Sequence, residues 1–483
     1  MSSDAHPHFE VVIGLEVHVH LRTRAKLFCS CAVSYGDDPN HHTCPVCLAL
    51  PGALPVLNGA AVEHAMRTGL ATHCEVHAHS IFARKNYFYP DLPKGYQISQ
   101  YEKPIATGGW IEIEVDGQEA KRIGITRIHM EEDAGKSIHD GAATETHVDL
   151  NRTSVPLIEI VSEPEMRSPE EAGAYLRSLR AILRYIESSD ADLEKGQFRC
   201  DANVSLRPPG STEFGTRTEI KNVNSFRFVE DAIRAEIDRQ AEILDEGGAI
   251  QQATLGYDAE AGRLFVMRLK ENADDYRYFP DPDLIPLVIG EERIEEIRAA
   301  LPELPDQKRL RFESEYGLST QEARLLSGSR ALAEFFEAAA RAHGTAKSVA
   351  NWMLRDLLAA LKEREIEIEE AAIAPEALAR LIEMVDGGRV TAKSARDLVA
   401  ELTERGGDPE KLVRERGLEA ASDAGLLESV ADEVIGANPD VARAYSEGDK
   451  KVVNFLMGQV MKKTQGKADP GQVREILARK LEE

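Results

Sequence analysis

Residues 9–20 read FEVVIGLEVHVH. After Gly14 apolar and polar side chains alternate, the period of two that a half-buried strand uses and an amphipathic helix does not. Leu15, Val17 and Val19 are therefore predicted on one face of a strand, with Glu16, His18 and His20 on the other. A carboxylate and an imidazole two residues apart on one strand face can meet one cation.

Working outward, a helix is predicted from about Asn58 to His73. RKNYFYPDLPKGYQISQY, 84–101, is too rich in turn formers for a helix and reads as an ordered loop with short strands. Residues 109–127 suggest a hairpin with Asp116-Gly117 at its turn, and HVDLNRTSVPLIEIVSEP, 147–164, adds another strand pair. Ser168, Pro169 and Glu171 form the signature of a capping box with proline at the first helical position. Leu176, Leu179, Leu183 and Ile186 then recur at helical spacing, and Val229, Ile233, Ile237 and Leu244 mark a second long helix ended by Gly247 and Gly248. RCDANVSLRP and TRTEIKNVNSF between them read as strands. The first 290 or so residues thus mix sheet and helix, an α+β pattern. Charged helices rich in alanine and leucine follow, giving expected domains of 1–295, 296–407 and 408–483.

The chain has 483 residues, more than one core organises, so roughly two to four domains are expected. No apolar run approaches the roughly 18 residues of a membrane span. MSSDAHPHFE lacks the basic start and apolar core of a signal peptide, so a cytoplasmic location without membrane contact is expected. A net charge of −25 argues against a uniformly basic surface, and any nucleic-acid contact must be local. From Val441 onward nine Lys or Arg face six Asp or Glu. Lys450, Lys451, Lys462, Lys463 and Lys467 there offer either a phosphate-binding patch or a solvated helical face.

Six cysteines are too few for a disulfide scaffold. Cys29 and Cys31 form C-x-C, and Cys44 and Cys47 form C-P-V-C, a spacing suited to a structural tetrahedral zinc. His41 and His42 are alternative ligands, and two unrelated thiol pairs the plainer possibility. Cys74 and Cys200 read as small buried residues.

ITRIHMEEDAGKS, 125–137, sets Glu131, Glu132 and Asp133 side by side between Arg127 and Lys136. Adjacent acids repel, and Glu159 lies inside an apolar strand where a lone charge is costly. A hard divalent ion held by these oxygens with Glu16 and His18 would offset that cost, and Mg²⁺ or Mn²⁺ suits such ligands better than zinc. Taken singly, each residue also fits a solvated turn, an exposed strand face or an arginine pair. Magnesium commonly binds substrate phosphates, which makes ATP a natural ligand. No Walker A motif occurs, so Arg84, Lys85 and Lys94 are the candidate phosphate contacts, with Tyr87, Phe88 and Tyr89 for stacking or for core. No G-x-S-x-G elbow occurs, and covalent amide hydrolysis is not expected.

IGLEVHVHL, CPVCLALPGALPVLN, RKNYFYPDLPKGYQISQ, GITRIHMEEDAGKS, VDLNRTSVPLIEIVSEP, RCDANVSLRP, EIKNVNSFRFV and DDYRYFPDPDLIPL together closely resemble the B subunits of the aspartyl/glutamyl-tRNA amidotransferases, from about Phe9 to the C-terminus. The resemblance implies a cradle-shaped catalytic domain, a helical domain and a small helical tail that grips tRNA. It implies a heterotrimer with a glutaminase (amidase) subunit, which frees ammonia from glutamine, and a small wrapping subunit. The B subunit would bind mischarged Glu-tRNA(Gln) or Asp-tRNA(Asn), activate the side-chain carboxylate with ATP, and let ammonia displace phosphate. By motif, Glu16, His18, Glu131, Glu132 and Glu159 would be the magnesium-site residues, with His18, Lys94 and Glu132 catalytic and the latter two at the mouth of an ammonia channel. Cys29, Cys31, Cys44 and Cys47 match the zinc-bearing branch. The rival expectation is a noncatalytic RNA-binding adaptor with a zinc knuckle and a basic tail.

Overall fold

A computed structural model of the chain describes residues 7–138, 145–223, 225–269, 275–419, 424–446, 448–464, 468 and 470–482. The fold is α+β, and the chain divides into two compact units, Met1–Pro305 and Asp306–Glu483.

The opening stretch forms the strand Glu10–His20. It lies inside a nine-stranded sheet, between Phe198–Arg207 and Pro156–Ser162. Lys121–Glu132, Ala106–Ile113 and Glu75–Val76 continue the sheet on one side, while Thr218–Val223, Ala253–Asp258 and Arg263–Leu269 continue it on the other. Neighbours are antiparallel apart from Thr218–Val223 and Ala253–Asp258. Parallel strands need a long crossover, and the helix Phe226–Asp245 supplies it.

Alternation gives the sheet two chemically distinct faces. Leu15, Val17, Val19, Ile128, Met130, Ile158, Ile160, Ala202 and Val204 are buried in the unit's main core, with Leu176, Leu179 and Leu183 of the helix Pro169–Tyr185. Glu16, His18 and His20 occupy the other face, and register sets His18 opposite both Glu159 and Arg199.

Local signals act largely as read. Asn58 caps the helix Gly59–Ala71, and strands Ala106–Ile113 and Lys121–Glu132 form the expected hairpin, with Gly117 at φ 81° between them. Ser168 accepts from the Glu171 N–H, but the reciprocal half of the capping box is missing. Glu171 instead accepts from the Arg167 N–H at 2.8 Å and from Lys121 at 2.7 Å, because a neighbouring ammonium outcompetes the cap's own amide. The strands of 147–164 do not pair with each other: His147–Asp149 joins Lys136–Ile138, and Pro156–Ser162 enters the large sheet. Residues 84–101 carry the short antiparallel strands Ala83–Asn86 and Tyr96–Ser99.

Past the composition change near 295, the helix Glu291–Ala299 still packs Ile294 and Ile297 into the first unit's core. The second unit is helical and contains two apolar clusters. One runs from Phe312 to Val413, so the helix Pro409–Arg416, beyond the glycines at 406 and 407, still contributes to it. The other runs from Leu427 to Leu477. No helix among the described residues is long and apolar enough to cross a membrane.

Leu179 is wholly buried beneath the sheet. Leu179→Ala is expected to lower unfolding free energy by about 3 kcal/mol through lost transfer energy and a residual cavity, against about 1 kcal/mol for Ser168→Ala, which removes one cap bond. Denaturant titration of the two variants checks the ranking.

Candidate active site and thiolate cluster

His18, Glu131 and Glu159 come from three adjacent strands, and one ligand atom from each lies within 4.8 Å of the others. His18 Nε2 is 3.4 Å from Glu159 Oε2. Glu159 is also 3.4 Å from His129 Nε2, which meets Glu131 Oε1 at 3.0 Å. Ser99 donates to Glu131 Oε1 at 2.7 Å, and the Gln97 amide donates to Glu131 Oε2 at 3.0 Å. Both donors are buried, so Glu131 is fixed by hydrogen bonds that water cannot replace.

These contacts set the charge states. Burial would push the Glu159 carboxyl up, but the charges and hydrogen bonds of His129 and His18 hold it well below the usual range. Burial acts likewise on Glu131, and His129 more than offsets it. Burial works against the charged form of His129 itself, yet Glu159 and Glu131 raise it to about 9. His18 is raised by Glu159 against the same desolvation. Glu16 shares this sheet face but is not within the close group; its oxygen accepts from Asn203 Nδ2 at 3.0 Å. Burial, then the charges of Glu159, Glu219 and Asp201, raise its carboxyl. His18, Glu131 and Glu159 form a donor set of two oxygens and one nitrogen that fits a hard divalent cation, with Glu16 at its flank.

The three consecutive acids do not share one partner. Glu132 sits one residue past Glu131 and so belongs to the opposite side of the strand. It pairs with Lys94 and accepts from the Ile98 N–H at 2.9 Å. Its Oε2 is buried and has no hydrogen-bond partner among the described residues. Asp133 meets His20 at 2.6 Å, Arg199 at 2.8 Å and Arg152 at 3.4 Å. Against the cost of burial, Arg199 above all, then His20 and Arg152, hold its carboxyl far below the carboxylate range.

The candidate phosphate contacts separate by the same alternation. Lys85 faces the acids: burial opposes its charge, but Glu131 and Glu159 keep its ammonium protonated, and it stands 4.9 Å from the Tyr276 ring. Arg84 points elsewhere, bonded to Asp281 at 2.9 Å and Asp283 at 2.8 Å and lying 4.2 Å over Tyr96. Phe88 and Tyr89 are exposed, 87% and 64%, so they are not core. Sequence reasoning left His129, Gln97 and Ser99 without a role. His129 had a signal, since it shares the face of Glu131 two residues away; the partners of Gln97 and Ser99 lie more than thirty residues distant.

Cys29, Cys31, Cys44 and Cys47 also converge, each sulfur within 4.8 Å of the others and Cys44 to Cys47 at 3.8 Å. Sulfurs around a tetrahedral zinc at about 2.3 Å are separated by about 3.8 Å, so the quartet fits that ion. Hydrogen bonding to Cys47, then burial, pushes Cys29 far up; burial and Cys44 push Cys31 to about 11. The same Cys29 hydrogen bond pulls Cys47 down, with help from the Cys44 N–H and the Lys26 charge. Of Cys29, Cys31 and Cys47, the last is thus the readiest to ionise. His41 and His42 are outside it, and His42 pairs with Asp37 at 2.7 Å.

In the tail, Lys450 pairs with Glu482 at 3.2 Å and Lys463 with Glu433. Lys451 and Lys462 are exposed, and Lys467 lies outside the described residues.

Residues 11–295 match the family described as the GatB/GatE catalytic domain, and residues 334–481 match the GatB domain family. The chain is 55% identical over 473 residues to the aspartyl/glutamyl-tRNA(Asn/Gln) amidotransferase B subunit of Nitratidesulfovibrio vulgaris strain DP4, covering 98% of this chain and 99% of that one. Proteins of the same name from Solidesulfovibrio magneticus and Carboxydothermus hydrogenoformans are 53% and 52% identical, again over 98% of this chain and 99% of theirs.

The folded protein binds the His129 proton more tightly than an unfolded imidazole with a pKa of about 6.5. The resulting stabilisation is complete below about pH 6.5 and disappears as pH rises through about 9. In chelator-treated protein, the melting temperature of the wild type is expected to fall more steeply than that of His129→Gln between pH 7 and 10. Parallel slopes would show that His129 is not held as imidazolium.

Proposed function

The chain belongs to the family of aspartyl/glutamyl-tRNA(Asn/Gln) amidotransferase B subunits, and on that premise we propose that it carries out the ATP-dependent step of amidation on mischarged tRNA. The substrate is the side-chain carboxylate of Glu-tRNA(Gln) or Asp-tRNA(Asn). Its oxygen attacks the γ-phosphorus of ATP, ADP departs, and ammonia then attacks the activated carbonyl carbon and expels phosphate. A free carboxylate is a poor acyl donor, and phosphorylation turns its oxygen into a leaving group. The glutaminase subunit would supply ammonia from glutamine, and the small wrapping subunit would make up the heterotrimer.

The convergence of His18, Glu131 and Glu159 beside a charged Lys85 carries this reading. Together with Glu16 they would hold Mg²⁺, which when bound offsets charge on the phosphates. His129, Gln97 and Ser99 orient the carboxylates of that group. Lys85 and Lys94 lie where anionic charge can be met, whereas Arg84 acts through Asp281 and Asp283 as a support for the loop. Glu132 is held by Lys94 through one oxygen and, among the described residues, its second, buried oxygen has no hydrogen-bond partner, which suits it to take the proton that ammonia sheds as it becomes an amide. The cysteine quartet would bind a structural Zn²⁺, since four protein ligands leave no position open for substrate. We assign catalysis to 1–295, a helical domain to 296–407 and tRNA contact to the tail, 408–483.

In the complex assembled with both partners, His18→Ala and Glu132→Gln are each expected to lower ATP-dependent amidation by about 100-fold or more, with charged-tRNA binding retained. Wild-type turnover of either variant would remove that residue from the mechanism. Lys451→Glu combined with Lys462→Glu is expected to weaken tRNA binding about tenfold at low salt and to flatten its salt dependence. Unchanged affinity in a filter-binding assay would take the tail out of the account.

A further inference from the structure

Lys26 is completely buried. Burying an ammonium is costly unless its donors are satisfied. Its Nζ donates to the carbonyl of His42 at 2.7 Å and to that of Leu150 at 3.1 Å. The first carbonyl lies between the two cysteine pairs, and the second lies just ahead of the strand that carries Glu159. The Lys26 N–H also donates to the Cys31 carbonyl at 3.0 Å. One residue therefore touches both the thiolate loop and the approach to the acid site.

Five more hydrogen bonds run across the same seam. Asn40 donates from its backbone to Asp149 Oδ1 at 3.0 Å and from Nδ2 to the Val148 carbonyl at 2.9 Å, and accepts from the Leu150 N–H at 2.8 Å. Asn151 accepts from the His42 N–H at 2.8 Å and donates to the Asp38 carbonyl at 2.8 Å. Asn40 has φ 61°, a conformation asparagine tolerates better than most residues. Beyond the seam, Arg152 donates to the Ala134 and Gly135 carbonyls at 3.0 and 2.6 Å and reaches Asp133. Ser154 N–H donates to the Asp133 carbonyl at 2.8 Å, and Asp133 N–H to that of Val155 at 2.9 Å.

We propose that the cysteine-quartet loop is a brace for residues 145–156 and that Lys26 is the positioning residue joining the two, so that metal binding at the quartet orders the segment that brings Arg152 to Asp133, at the end of the strand carrying Glu131. The Lys26 charge suits this place twice. Its ammonium is satisfied by carbonyls from both sides of the seam, and it balances part of the net negative charge that four thiolates leave around a dication. The proposal rests on the zinc assignment made above. It adds that the ion's effect reaches past its own loop.

The test uses the full chain and does not depend on turnover. Zinc content is measured first, and amide hydrogen exchange is then compared between zinc-loaded and chelator-stripped protein. Exchange over 145–156 is expected to rise at least tenfold on stripping, with the helix Arg330–His343 unchanged. Lys26→Met is expected to release zinc to a chromophoric chelator at least tenfold faster. Should that variant fail to fold, Asn40→Ala decides, since its side chain is exposed. Loaded with cobalt, it should keep the tetrahedral thiolate absorption bands of the wild type while its 145–156 exchange rises at least threefold. Zinc bound with exchange over 145–156 unchanged on stripping overturns the brace and leaves the zinc assignment standing. A wild-type chain that binds no zinc overturns both. Wild-type zinc release from folded Lys26→Met, or wild-type exchange in Asn40→Ala, removes the bridging role.

Discussion

The structure depends on how three consecutive buried carboxylates avoid one another. Two like charges about 4 Å apart repel by about 4 kcal/mol at an effective dielectric constant of 20, so Glu131, Glu132 and Asp133 cannot share one pocket without a counter-ion each. The backbone solves this by geometry. Strand alternation sends Glu131 to the face of His18 and Glu159, sends Glu132 through to Lys94, and leaves Asp133 at the strand end under Arg199, Arg152 and His20. Each acid is compensated separately, and each compensation ties a different part of the unit to the end of the same strand.

That division gives the proposed chemistry two compartments separated by one backbone. On the Glu131 side, acids and imidazoles gather for a cation, with Lys85 near by. On the Glu132 side, a buried carboxylate pairs with Lys94 and, among the described residues, has an oxygen without a hydrogen bond. The proposed reaction, in which ammonia displaces phosphate from an acyl phosphate, would use both: cationic charge for the phosphate and a proton acceptor for the amine. Arg84 illustrates the rule by exception. It lies next to Lys85 in the chain but on the other side of its strand, where Asp281 and Asp283 already neutralise it.

Much of this was legible from local sequence. The alternation of 9–20 gave the strand and its two faces, the cysteine spacing gave the quartet, and helix caps at Asn58 and Ser168 sat where their residue types require. What escaped shares one physical cause: it depends on contacts across long stretches of chain. Gln97 and Ser99 reach Glu131 over more than thirty residues, and no local pattern distinguishes them from other polar strand residues. The expectation that one ion gathers all the acids placed too much on adjacency in sequence, because adjacency in a strand means opposite faces. His147–Asp149 pairs with a strand before it rather than after it, and Glu171 leaves its own cap for Lys121.

The same sheet face explains where along it the site lies. Across the sheet that face carries charges in every strand from His129 to Lys221, yet they are not equally desolvated. Lys221 balances Asp201 at 2.5 Å and Glu219 at 3.0 Å while remaining about one-third exposed, so water still screens that cluster. At the His129 end the short strand Tyr96–Ser99 supplies buried donors, and Glu131, Glu132 and Asp133 are all 5% exposed or less. Electrostatic interactions there act through a low effective dielectric, which strengthens every oriented charge and makes every unpaired one expensive. A sheet with a uniformly wet polar face would offer ligands but little leverage. The dry part of this one makes the positions of a few side chains decide whether a charged intermediate is favoured.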